Sequence, residues 1–177
     1  MATATWIKDM LEEQGVAYKE CHHDLAYTAQ SVAEREHVSG HHVAKVVVVI
    51  ADGRPVELVL PASRRVLLES VRGILGAKNI RLATEDELDY YFEDCELGAM
   101  PALRHWDDID VVMDSSMKVD GDILFQAGTH YDAVRMRFDD WMALVKPPIA
   151  SFTENIRPAN RLADAEQRWE WEGGHLP

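Results

Sequence analysis

The sequence has few of the features that mark a secreted, disulfide-bonded or membrane-spanning protein. Its 177 residues contain two cysteines, Cys21 and Cys95, which are too few for a disulfide framework and have no partner at metal-binding spacing. No apolar run approaches the length of a membrane span, and the N-terminus MATATWIKDM has neither the basic segment nor the apolar core of a signal peptide. These absences predict a cytoplasmic protein with free thiols.

Basic residues are also scarce. The chain has 18 Lys and Arg against 31 Asp and Glu, and its formal net charge of −13 opposes nonspecific binding to DNA, long RNA or anionic membranes. The segment 64–81 is an exception, because it carries Glu69 as its one acid. Its basic residues are Arg64, Arg65, Arg72, Lys78 and Arg81. This patch either holds a few phosphates or is a solvated charged surface.

The rest of the chain is organised around its most apolar stretch. Residues 43–51 are apolar except for Lys45, and they are followed by the turn signal Asp52-Gly53-Arg54-Pro55 and a second β-rich run, 56–60. The pattern predicts a hairpin whose first strand is buried on both faces at the centre of a sheet. Lys45 then has two interpretations: its ammonium reaches solvent along an apolar stem, or it binds an anionic ligand.

Helices and strands alternate irregularly along the remainder. Helical spacing and caps predict helices at 5–14, 28–38, 63–75, 84–92 and 138–145. Alternation and turn signals predict strands at 16–22, 80–82, 109–113, 122–126 and 133–138. This mixture favours an α+β fold over a doubly wound sheet.

The length is that of a single domain, and we expect it to span residues 1–147. Pro147 and Pro148 end the last predicted helix, and 148–177 form a polar C-terminal tail. Trp169 and Trp171 near its end leave three possibilities open: a disordered tail, a tail docked on the domain, or a homodimer contact.

Common catalytic motifs are missing. The adjacent histidine pairs, His22-His23 and His41-His42, have no HExxH or CxxC spacing near them, so no metal or other cofactor is predicted. There is no GxSxG serine elbow either. One loop remains, Gly98-Ala99-Met100-Pro101, whose main-chain amides can stabilise an oxyanion, although such a short pattern also fits an ordinary turn.

Several motifs in a fixed order give this loop a context. They are AYTAQSVAE, VAKVVVVIADG, VLPASRRV, LGAKNIRLATEDEL, FEDCELGAMPAL and FQAGTHYDAVRM. In this combination, over about residues 16–147, the chain resembles the YbaK/ProX family of aminoacyl-tRNA deacylases, which includes the editing insertion of bacterial prolyl-tRNA synthetase. The resemblance implies a mixed, barrel-like sheet surrounded by helices, and metal-independent hydrolysis of the ester of a mischarged tRNA.

The resemblance also implies roles for residues of this chain. Lys45 would hold a phosphate at the acceptor end, and a substrate hydroxyl would help to place the attacking water. The amides of Gly98, Ala99 and Met100 would position the aminoacyl carbonyl. The pocket would be completed by Tyr27, Thr28, Pro101, Gly128, Thr129 and His130, and tRNA would contact Arg64, Arg65 and Arg72.

Two functions remain open at this point. One is a free-standing deacylase that edits a mischarged tRNA in trans, with proline tRNA as a candidate and a synthetase as a possible partner. The other is a non-catalytic module that uses the same pocket for a small ligand or a protein. Ala102 stands where members of the family often have a second proline or a glycine, so the edited amino acid is not determined by the loop.

Overall fold

The computed structural model describes residues 4–26, 28–104 and 108–156. The helices of this part of the chain are α1 Thr5–Glu13, α2 Ala29–Arg35, α3 Leu68–Leu75, α4 Glu85–Tyr91 and α5 Phe138–Val145. The strands are β1 Tyr18–His22, β2 Val43–Ala51, β3 Arg54–Pro61, β4 Arg64–Val66, β5 Ile80–Leu82, β6 Asp110–Asp114, β7 Asp122–Gln126, β8 Asp132–Arg137, β9 Ile149–Ala150 and β10 Thr153–Asn155.

The main sheet is mixed and follows the order β1-β8-β7-β2-β3-β6-β9, with β5 added to β2. Strands β2 and β3 form an antiparallel hairpin, whereas β2 pairs with β7 and β3 with β6 in parallel. The α+β class with a mixed sheet is confirmed. Over the described residues the pairings form an open path from β1 to β9 rather than a closed barrel.

Strand β2 is the central element, as predicted, and all nine of its residues are buried. Successive side chains point to opposite faces of the sheet. Val46 and Val48 therefore pack in the largest core cluster, which contains Trp141, whereas Val47 and Val49 pack in a second cluster. A sheet covered on both faces explains the continuous run of valines.

The prediction that a helix starts at Ser63 is wrong. Arg64–Val66 instead form β4, which pairs antiparallel with β10, and the helix begins at Leu68. The side chain of Val66 is buried in the second cluster, and the two arginines bind groups on β10. These contacts stabilise an extended backbone that the local sequence does not indicate.

The segment after the two prolines also belongs to the fold. Ile149 pairs with Met113 at the edge of the main sheet, and β10 pairs with β4. We therefore propose one domain that extends at least to Asn155, and the tail predicted from residue 148 begins beyond that point. Trp169 and Trp171 lie outside the described residues. Among the helices described, none has the length and hydropathy of a membrane span.

Candidate functional site

Lys45 lies in the middle of the sheet rather than on its surface. Only 4% of the residue is exposed, and its side chain points to the same face as those of Val43 and Val47. Burial of this extent disfavours the snorkelling interpretation, in which the ammonium reaches bulk solvent. An ammonium at such a depth needs polar or anionic neighbours, since burial of an uncompensated charge is costly.

A second buried polar residue lies next to Lys45. The parallel register that pairs Ala44 with Phe125 places Gln126 beside Lys45, on the adjacent strand β7. Gln126 is 5% exposed, and its Nε2 donates to the carbonyl of Ala26 at 3.3 Å. The segment that precedes α2 therefore lies over this face of the sheet.

Thr28, which was predicted as part of the pocket, starts α2. Its hydroxyl accepts a hydrogen bond from the Ser31 amide at 3.1 Å, which is an ordinary helix cap. Tyr27, the other residue predicted there, lies outside the described residues.

The structure brings together two segments that were predicted to form the pocket: the loop at 98–101 and residues 128–130, which we call the wall. The Glu96 amide donates to the carbonyl of Gly128 at 2.8 Å, and the Gly128 amide donates to the carbonyl of Ala99 at 2.9 Å. In addition, the His130 amide donates to Glu96 Oε2 at 2.9 Å. We call this set of three bonds the loop–wall clip. It fixes residues 96–99 against residues 128–130 two positions after Gln126.

Glycine is required at two points of this arrangement. Gly98 has φ of +83° and Gly128 has φ of +87°, a backbone region that residues with a Cβ rarely adopt. A Cβ at Gly128 would also lie 3.2 Å from Cβ of Ala4. Both positions therefore favour glycine, and at Gly128 the lack of a side chain also leaves room for Ala4.

The predicted oxyanion donors differ in availability. The Ala99 amide donates to the carbonyl of Glu96 at 3.0 Å, so the turn itself uses this group. Among the described residues, the amides of Gly98 and Met100 have no such bond. On its other side the loop is fixed by α5, because Trp141 Nε1 donates to the carbonyl of Ala102 at 2.6 Å.

His130 is the titratable residue of the wall. Its side chain is 13% exposed, and Nε2 lies 3.8 Å from Glu96 Oε2. Burial lowers the pKa of His130 because it disfavours the imidazolium, although the nearby Glu96 carboxylate acts in the opposite direction. Glu96 was not predicted from the sequence. Its carboxylate accepts a hydrogen bond from the His130 amide and also lies near the His130 imidazole.

Asp132 is a second residue that the sequence did not reveal. Its side chain is completely buried, and each of its carboxylate oxygens accepts one hydrogen bond. Nδ1 of His22 donates to Oδ1, and the hydroxyl of Thr129 donates to Oδ2 at 2.6 Å. Thr129 is thereby held at the start of the turn that leads into β8.

The predicted tRNA contacts already have partners within the chain. Arg65 Nε donates to Glu154 Oε1 at 2.7 Å, and Arg72 binds Glu69, so both charges are compensated. Within the described part of the chain, Arg64 binds neutral groups only, with its Nε 2.6 Å from the Thr153 hydroxyl. Of the three, Arg64 therefore keeps the most uncompensated positive charge.

The described residues contain no group of three or more His, Cys, Asp or Glu side chains arranged to hold a metal ion. A family model described as aminoacyl-tRNA editing domain matches residues 23–144, a range that includes Lys45, the loop and the wall. The chain belongs to the aminoacyl-tRNA editing domain family. This confirms the resemblance that the motifs indicated. No curated protein matches the chain in sequence.

Solved structures show that the editing domain has a known fold. The crystal structure of hypothetical protein APE2540 matches with a TM-score of 0.76 and 17% identity, over 84% of this chain and 99% of that one. A protein proposed as a trans-editing enzyme for prolyl tRNA synthetase matches with a TM-score of 0.74 and 18% identity, over 86% and 97%. A protein from Marinobacter aquaeolei VT8, proposed to act in signal transduction, matches with a TM-score of 0.65 and 15% identity, over 91% of this chain and 34% of its own.

Proposed function

We propose that this editing domain is a free-standing aminoacyl-tRNA deacylase that acts in the cytoplasm on mischarged tRNA. The observation that carries the proposal is the position of Lys45. It lies buried beside Gln126, on the strand next to the one that leads into Gly128 and the loop–wall clip. A cation and a rigid loop, whose Gly98 and Met100 amides have no main-chain acceptor among the described residues, therefore lie at the same end of the sheet.

The proposed reaction is hydrolysis of the ester between the amino acid and the terminal ribose. The oxygen of a water molecule attacks the carbonyl carbon, and the amides of Gly98 and Met100 stabilise the oxyanion that forms. The carbon–oxygen bond to the ribose then breaks, and the ribose oxygen takes the proton that the water gives up. The products are a free amino acid and a tRNA with an intact terminal hydroxyl.

The remaining roles belong to groups around the carbonyl. Lys45 would hold a phosphate of the acceptor end, and a hydroxyl of the substrate would help to place the water, so the proposed reaction needs no metal. Main-chain donors suit this task because they are preorganised and do not titrate. Arg64 is the arginine best able to contact the tRNA.

The proposed substrates are tRNAs that carry a small wrong amino acid. A synthetase site distinguishes side chains that differ by a methylene by only about 1–3 kcal/mol, so a separate hydrolytic step improves accuracy. Proline tRNA charged with alanine, cysteine or serine is the first candidate, since one structural neighbour is proposed to edit for prolyl tRNA synthetase. A synthetase could present such a tRNA to this acidic protein.

The test is hydrolysis of a panel of mischarged tRNAs by the wild type, by Lys45→Ala and by Lys118→Ala. Lys118 is an exposed lysine away from β2 and serves as the matched control. We expect one amino acid to be released by the wild type and the control, and a loss of at least about a hundredfold in Lys45→Ala, the size typical for one preorganised electrostatic contact.

Circular dichroism of each variant separates chemistry from folding. Full activity in a folded Lys45→Ala variant would show that the lysine has no role in the reaction. If the folded wild type releases nothing from the whole panel, the deacylase proposal fails, and a non-catalytic binding module becomes the better account of the pocket.

A further inference from the structure

The hydroxyl of Thr129 has a fixed hydrogen-bonding polarity. A threonine hydroxyl has one proton to donate and two lone pairs that can accept. The proton is committed to Asp132 Oδ2 at 2.6 Å, and one lone pair accepts from the Tyr131 amide at 3.2 Å. What remains is one acceptor position, so Thr129 can bind a donor on a ligand but cannot donate to one.

The buried carboxylate keeps this polarity from reversing. Asp132 is completely buried, and its second oxygen is held by His22, so the carboxylate cannot turn away from Thr129. An ionised carboxylate accepts only, which leaves the hydroxyl no choice but to donate to it. The bond is charge-assisted and therefore stronger than a bond between neutral groups.

The charges around this hydroxyl favour a cationic ligand group. Two carboxylates flank the turn: Asp132 beneath it and Glu96 on the facing loop. The groups paired with these carboxylates are His22 and His130, and the pKa of His130 is lowered because burial disfavours its charged form. Lys45, the cation assigned to a phosphate in our proposal, lies beside Gln126 on the neighbouring strand. An aminoacyl ester carries one cationic donor close to its carbonyl, which is the α-ammonium group.

We infer that Thr129 is the acceptor for the α-ammonium of the substrate, and that the site selects aminoacyl esters with a free amino group. This inference rests on the proposed deacylase function and adds a specificity determinant to the same site. Esters whose amino group is acylated, such as peptidyl-tRNA, lack the charge and one or more of the donor protons that Thr129 and the two carboxylates favour.

The experiment takes the aminoacyl-tRNA that is hydrolysed in the panel and compares it with the same ester acetylated on its amino group. We expect kcat/KM for the free amine to exceed that for the acetylated ester by about ten- to a hundredfold, the range for one hydrogen bond to a charged group. Equal rates for the two esters would overturn the inference while leaving the deacylase proposal intact. Hydrolysis of no ester of the panel by folded protein would reject the deacylase proposal itself.

Variants assign the preference to this hydroxyl. Thr129→Val removes the acceptor at nearly constant volume and is expected to reduce the preference at least tenfold, whereas Thr129→Ser should restore it. Asp132→Asn can offer an amide donor to the hydroxyl and should also reduce the preference. Asp122→Asn, an exposed aspartate paired with Arg135, is the control and should leave it unchanged.

The measured quantity is the ratio of kcat/KM for the two substrates. A smaller fraction of folded enzyme lowers both values equally and leaves this ratio unchanged. A preference that persists in folded Thr129→Val would overturn the assignment to Thr129.

Discussion

Glu57 is a carboxylic acid inside the largest core cluster. It is 1% exposed, and its neighbours across the sheet are Val48 and Val111, both of which belong to that cluster. Among the described residues, Oε1 has no hydrogen-bond partner. Burial raises the pKa of Glu57 well above its usual value, against a smaller opposing effect of Arg104, so this residue keeps its proton to a higher pH in the folded protein than in the unfolded chain.

The variant Glu57→Gln is predicted to change how stability depends on pH. Above the ordinary pKa of about 4.5, the unfolded chain has lost this proton while the folded chain keeps it, so wild-type stability falls as pH rises toward the folded pKa. Each unit of pKa shift corresponds to about 1.4 kcal/mol. Because glutamine does not titrate, the variant should gain stability relative to the wild type as pH increases.

Urea unfolding between pH 4 and pH 8 measures this difference. Glu34→Gln, at an exposed glutamate on α2, is the control. Its free energy of unfolding should differ from that of the wild type by the same amount at every pH. A constant offset for Glu57→Gln as well would mean that the carboxyl is ionised in the folded protein.

Single residues were predictable from the sequence where a local pattern is interrupted. Lys45 is noticeable because it breaks a run of valines, and the loop is noticeable because Gly98 and Pro101 frame it. Glu96 and Asp132 could not be found in this way. Their partners lie 34 and 110 residues away in the sequence, so only the folded chain shows why a carboxylate is needed at each position.

At the scale of elements, the sequence was most informative where periodicity is local. Strand β2, strand β7 and helix α5 have the predicted boundaries, and the helix predicted from residue 84 begins with a capping box formed by Thr84 and Glu87. Strand β4 was missed because its partner is β10, 89 residues later along the chain. Pairing between segments so far apart leaves no signal in either segment alone.

Asp114 attaches the last two strands to the sheet. Its buried carboxylate accepts from the Phe152 amide at 2.8 Å, from the Thr153 hydroxyl at 2.9 Å, and from the amide and hydroxyl of Ser116. Burial raises the pKa of Asp114, but these hydrogen bonds outweigh it and the net shift is downward. The carboxylate therefore stabilises the fold in its ionised form.

We predict that Asp114→Ala lowers the free energy of unfolding by about 2–4 kcal/mol, because it leaves buried donors without an acceptor. The control is Asp110→Ala, at the exposed start of the same strand. Since the folded pKa is depressed, the contribution is complete above the unfolded pKa and disappears as pH falls through the folded value. The difference in the free energy of unfolding between the wild type and Asp114→Ala should therefore become smaller at acid pH.

Hydrogen exchange of the Phe152 amide, followed in both variants, locates the effect. Unchanged protection of this amide in Asp114→Ala would show that β9 and β10 are held by other contacts.

At the scale of the whole molecule, electrostatics opposes tRNA capture. The net charge is −13, and both Arg65 and Arg72 are bound to glutamates of the chain. Lys45 and Arg64 are the cations left for the acceptor end in our proposal. With about 0.7 released counterions per contacted phosphate of a single strand, two contacts predict a slope of about −1.4 for log K against log salt concentration.

This expectation is tested by measuring how an acceptor-stem mimic without an amino acid binds between 50 and 200 mM salt, a range suited to such measurements. Glu154→Gln releases Arg65 and should steepen the slope by about 0.7, whereas Glu34→Gln, at an exposed glutamate of α2, should not. A wild-type slope steeper than about −3 would instead show that the arginines leave their glutamates to bind phosphates.

The position of Lys45 in the strand order has a consequence for protein synthesis. The hairpin of β2 and β3 is local, but β2 also pairs with β7, where Val43 lies opposite Leu124, and the wall at Gly128 follows still later. Chains fold from the N-terminus as they leave the ribosome, and contacts between distant residues form last because closing a long loop costs entropy. A nascent chain therefore exposes Lys45 from the time this residue is made until β7 has emerged. Under our proposal, the chain can hydrolyse its substrate only after the segment that contains the wall has emerged.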